Sequence, residues 1–159
     1  MRQDGRVGRP VENVVFDFDS PANDDDPPWR RGVVAVIRRG DRFLVIRRSA
    51  TVAAPLKLCF PGGGLESGES EETALIRELE EELALRVRPL RPLWRCRTAW
   101  RVDLAWWAAE LISDPESVRP DMAEVADVYW MTQPEMLSAP DMLSSNLGFL
   151  ERFQLDQFF

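Results

Sequence analysis

The chain has 159 residues, 45% of them hydrophobic, and a formal net charge of −7, which fits one domain with a single adequate core. It contains no histidine, so histidine-based zinc sites and Ser–His or Cys–His catalysis are excluded. No stretch reaches the roughly 18–20 apolar residues of a membrane span, the N-terminus MRQDGRVGRP lacks a signal-peptide core, and Cys59 and Cys96 read as small buried residues, so a reducing cytoplasm is expected.

Residues 1–29 read as a partly flexible N-terminal arm, with Gly5, Gly8, Pro10, the run Asp24-Asp25-Asp26 and Pro27-Pro28 breaking regular structure. Within it, Val14 to Phe18 suits one short strand. The domain proper is expected over residues 30–159. Arg31 to Arg48 reads as a β-hairpin, with Val33 to Ile37 and Phe43 to Ile46 as strands buried on both faces and joined at Gly40-Asp41. Thr51 to Leu56 is a loop, and Lys57 to Phe60 a short strand running into Pro61-Gly62-Gly63-Gly64. Ser70 is an N-cap, and Thr73 to Leu85 holds good helix formers without Gly or Pro.

Arg86 to Leu93 reads as a proline-interrupted connection, and Trp94 to Ile112 as one or two strands. Ser113 to Met122 is a loop, Glu124 to Met131 a strand, Pro134 to Ser138 a helical turn, and Met142 to Phe153 an amphipathic helix weakened by Gly148. The tryptophans read first as sheet packing, second as a stacking surface for a nucleobase. Strands with one central helix and a C-terminal helix indicate an α/β sandwich.

The central helix carries the chemistry. On a helical wheel Leu75, Ile76, Leu79 and Leu83 share a core stripe, and Glu78, Glu81 and Glu82 share another roughly 120° away. Like charges at these spacings oppose a helix by roughly 0.2–0.5 kcal/mol per pair, whereas a hard divalent cation reverses the sign. Gly63 to Leu85 holds eight Glu and one Arg, a local −7 that equals the charge of the whole chain. Trp29 to Gly62 carries eight basic residues against Asp41 alone, a local +7. Acid for metal beside base for phosphate is what a metal–polyphosphate enzyme needs.

The stretch Gly63 to Leu85 resembles the Nudix box, G-x5-E-x7-R-E-U-x-E-E-x-G-U with U aliphatic. Gly63, Glu69, Arg77, Glu78, Leu79, Glu81, Glu82 and Leu85 occupy its specified positions, and Ala84 stands where the family usually has Gly. Six fixed residues at about 5–7% usage each coincide on the order of once in 10⁷ registers. The departure at Ala84 is expected to let the helix continue another turn or bend differently, without loss of metal binding, because alanine bears no ligand atom.

The resemblance implies a Nudix-type α/β/α sandwich with a mixed sheet and a loop–helix–loop. It implies a Mg²⁺-dependent hydrolase, with Mn²⁺ as substitute, that cuts a P–O–P bond in a nucleoside diphosphate linked to another moiety. By the same resemblance the Gly62 carbonyl, Glu78, Glu81 and Glu82 are metal ligands, Arg77 orients a glutamate, and Glu69 supports the site. Glu78 or Glu81 helps deprotonate water. Arg47, Arg48 and Gly63 are substrate-binding residues, and Glu124 an extra base or ligand from a later loop. A Nudix-fold nucleotide sensor without turnover is the alternative. The expected partner is a small nucleotide, with neither membrane nor specific nucleic acid involved, and with room for a homodimer.

Overall fold

The computed structural model describes residues 28–159. Nearly all of the expected arm, including the strand at Val14 to Phe18, lies outside the described residues. The strands are β1 (Arg30–Arg39), β2 (Arg42–Arg48), β3 (Leu58–Cys59), β4 (Gly62–Gly64), β5 (Val87–Arg97), β6 (Val102–Leu111) and β7 (Val125–Met131). The helices are α1 (Glu71–Leu83), α2 (Gln133–Ser138) and α3 (Ser144–Arg152). The sheet runs β3-β2-β1-β6-β5, with β4 paired to β1 and β7 paired to β2. β1 and β6 are parallel from Arg30↔Val102 to Ile37↔Ala109, and the other pairings are antiparallel, so the sheet is mixed.

Apolar runs in β1 and β2 feed both faces, because successive side chains of a strand alternate. Val33, Ala35, Ile37, Leu44 and Ile46 pack with Ala74, Leu75, Leu79 and Leu83 of α1. Val34, Val36, Phe43 and Val45 pack on the opposite face with Trp106, Phe149 and Leu150. Phe149 of α3 stacks on Trp106 at 4.2 Å between ring centroids, and Trp94 leans on the same ring. Core packing thus accounts for Trp94 and Trp106. Burial also pushes the Cys59 thiol up to about 11, which keeps it unreactive.

Three expectations are corrected. Ile76, expected on the core stripe, is 44% exposed, and Ala74 takes the sheet-facing place beside Leu75. The segment expected as a connection from Arg86 is strand from Val87 onward. Pro89 and Pro92 are absorbed by register shifts, and β5 lies at the sheet edge, where a missing N–H breaks no ladder. The α1 helix neither continues nor bends at Ala84. It ends at Leu83, and Ala84 takes the left-handed conformation (φ 54°, ψ 33°). The Ala84 N–H bonds Glu80 O at 2.9 Å and the Leu85 N–H bonds Leu79 O at 3.2 Å, closing the turn that a glycine usually makes.

Candidate active site

The site forms where β4 meets α1. Gly62 pairs with Val34 between the hydrogen-bonded Val33↔Gly63 pair and the Ala35 N–H to Pro61 O bond, so its own N–H and carbonyl point away from β1. Its N–H donates to Glu82 Oε2 at 3.3 Å. A side chain at Gly62 would place Cβ 2.0 Å from Val33 O. One at Gly63 would lie 2.3 Å from the Glu78 carboxylate. The glycines therefore let backbone and carboxylates occupy neighbouring space.

Carboxyl oxygens of Glu78, Glu82 and Glu124 all lie within 4.8 Å of one another. Glu82 is only 5% exposed. Burial first, then the Glu78 charge, push its carboxyl up to about 8, and Glu78 is raised for the same first reason. Three carboxyls held this close, one of them in the protein interior, fit a hard divalent cation.

Arg77 organises the opposite flank. Its Nε and Nη2 donate to both oxygens of Glu69 at 2.8 and 2.9 Å, and its Nη1 donates to Glu78 at 2.9 Å and Glu81 at 3.1 Å. Nη2 also donates to Gly64 O at 2.8 Å, tying the helix to the glycine turn. The Arg77 contact holds the Glu69 carboxyl down to about 2. Glu69 further accepts from the Glu66 N–H at 2.9 Å, so it serves as scaffold for the turn.

The structure brings Glu78 and Glu82 together with Glu124, and places Glu81 on the Arg77 side with its side chain 61% exposed. Arg47 and Arg48 part company along β2. Arg48 lies on the α1 face, where its charge acts on Glu82, and its Nε donates to Ala53 O at 2.7 Å. Arg47 lies on the other face, donating to Asp141, to Leu56 O at 2.8 Å and to Tyr129 Oη at 3.4 Å. Glu71 escaped the sequence reading. It accepts from Trp107 Nε1 at 2.9 Å, from Arg31 at 3.1 Å and from Arg95, which joins the first turn of α1 to β6, β1 and β5. Its spacing was a readable signal, since Glu71, Glu78 and Glu82 at i, i+7 and i+11 share one helix face.

Fold and site together define an α/β protein with a glycine turn and a carboxylate cluster built from one helix and the segment before β7. A NUDIX domain model matches residues 28–153, and the chain belongs to that family. A 53-residue segment is 42% identical to the 8-oxo-dGTP diphosphatase of Escherichia coli (strain K12), covering 33% of this chain and 41% of that relative, so the match spans less than half of the relative's length. The MutT protein of Methanosarcina mazei Go1 superposes with a TM-score of 0.69 at 22% identity, over 82% of this chain and 96% of that one. An ADP-ribose pyrophosphatase of Streptococcus suis 89-1591 gives 0.61 at 17% identity, over 77% and 90%. These structures share the fold.

Proposed function

We propose that this Nudix-family protein is a hydrolase that cleaves a P–O–P bond in a nucleoside diphosphate linked to another moiety, with Mg²⁺ as cofactor and Mn²⁺ as substitute. The observation that carries this reading is the convergence of Glu78, Glu82 and Glu124 within 4.8 Å, with Glu82 buried. These three would hold the cation, with the Gly62 carbonyl beside them as the family resemblance implies. A divalent ion bound there supplies charge neutralisation for the diphosphate and lowers the pKa of water.

The chain's own groups do the rest. Arg77 fixes Glu78 from behind, so its carboxylate stays aimed at the cluster. Arg48, on the same sheet face as Glu82, offers a guanidinium to a substrate phosphate. Gly63 leaves the Glu78 carboxylate unobstructed. Glu81 stands outside the trio, bonded to Arg77 and open to solvent, and by the family resemblance it or Glu78 takes the proton from the attacking water.

The test is phosphate and pyrophosphate release over a panel containing 8-oxo-dGTP, dGTP, ADP-ribose and a nucleotide sugar, with Mg²⁺, Mn²⁺ or EDTA. Release on one class is expected with metal and absent with EDTA, and Glu82→Gln lowers it by about 10²-fold or more, the scale on which loss of one charge-stabilising group acts. Silence across the panel, with one compound still binding by calorimetry, would give the chain the sensor role instead.

A further inference from the structure

Glu124 has to sit beside two carboxylates from an exposed segment, Asp121 to Glu124, and its charge acts on both Glu78 and Glu82. That segment is tied down on two sides. On one, the Arg119 and Asp121 N–H groups each donate at 2.8 Å to the Leu83 and Glu82 carbonyls, at the C-terminal end of α1. On the other side stands Ser49, a polar residue 5% exposed directly after β2. Its N–H donates to Glu124 O at 2.8 Å, and its hydroxyl donates to Ala123 O at 2.7 Å. One residue therefore grips two consecutive carbonyls of the segment that carries the third carboxylate. Thr51 Oγ1 adds a longer bond to Ala123 O at 3.2 Å and lies 3.1 Å from Ser49 Oγ.

We infer that Ser49 is a positioning residue for the cation site, acting through Glu124: its hydroxyl holds the Ala123–Glu124 backbone in place against repulsion from Glu78 and Glu82. The inference rests on the reading of Glu124 as a metal-holding carboxylate. Ser49 touches neither substrate nor cation in this arrangement. Its effect belongs to the class of outer contacts whose loss costs roughly 10–100-fold in metal affinity. Removing the hydroxyl leaves the Ser49 N–H bond to Glu124 O in place, so the lower end of that range applies.

The experiment is a Mn²⁺ titration, with free Mn²⁺ read by electron paramagnetic resonance, on the wild type, Ser49→Ala, Glu124→Gln and the double variant, with thermal melts of each. Ser49→Ala is expected to raise the Mn²⁺ dissociation constant about tenfold while its metal-free melt stays near that of the wild type. The double variant should bind no more weakly than Glu124→Gln alone, because both changes act through one carboxylate. Wild-type Mn²⁺ affinity in Ser49→Ala, or losses that multiply in the double variant, would overturn the role of Ser49 while leaving Glu124 in the site. Wild-type affinity in Glu124→Gln would instead remove Glu124 from the site, and the inference with it.

Discussion

Two groups of carboxylates share Glu78 as their border. Glu69 and Glu81 bond the Arg77 guanidinium, and Glu69 is held down to about 2. Glu82 and Glu124 stand on the other side, where the hydrogen bond Glu82 accepts among the described residues comes from the Gly62 N–H, and burial raises its carboxyl to about 8. The residue type is the same and the sequence separation small. What differs is whether the protein itself supplies the countercharge. The compensated group holds the glycine turn to the helix, whereas Glu82 and Glu124 form no salt bridge among the described residues, which suits them to the proposed cation.

The contrast is sharpest in its response to pH. A carboxyl raised in the folded state binds its proton more tightly there, so its contribution to stability is present in full below pH 4.5 and is lost as pH rises through about 8. In EDTA the melting temperature is expected to fall across that window, by the equivalent of on the order of 5 kcal/mol, with the decline much reduced in Glu82→Gln, where the raised Glu78 still contributes, and reversed by Mn²⁺. A melting temperature flat in pH would show that Glu82 carries no such burden. Glu69 acts with the opposite sign, its contribution being present above pH 4.5 and lost as pH falls toward 2.

Arg77→Ala turns the compensated group into a second uncompensated one. It should cost about 2 kcal/mol in urea unfolding, the scale of hydrogen bonds to charged groups. Arg77→Lys should recover less than half, because an ammonium cannot bridge Glu69 in two parallel bonds. An unchanged midpoint in Arg77→Ala would deny the guanidinium its scaffold role. The smallest effect lies at the end of the helix both groups share. Ala84→Gly relieves a left-handed alanine and should stabilise by about 1 kcal/mol, a rise of roughly 3 °C in the melting temperature. A fall would mean that alanine is not strained there.

Much of this was legible before any coordinates. The β1–β2 hairpin, the Ser70 cap, the core positions Leu75, Leu79 and Leu83, and the helix bearing the acids all follow from local patterns. Ile76 shows where a wheel fails: it sits at the margin of the stripe, and only the position of the sheet decides which margin is covered. The prolines of β5 read as breaks because edge position is a property of the assembled sheet. Arg47 and Arg48 could not be told apart until β2 had a face turned toward α1. The Ser49 contact joins positions 74 residues apart, so no window along the chain contains it.

The close approach of Gly63 and Glu78 carries a consequence for anyone recasting this loop. A methyl group at Gly63 would occupy the volume the Glu78 carboxylate already fills, so the two positions are inherited or redesigned as one unit. Shortening Glu78 to aspartate would clear the methyl, but it would also withdraw the acid from Glu82 and Glu124. No single compensating change restores both, and a graft of the turn into another scaffold has to bring its helix along.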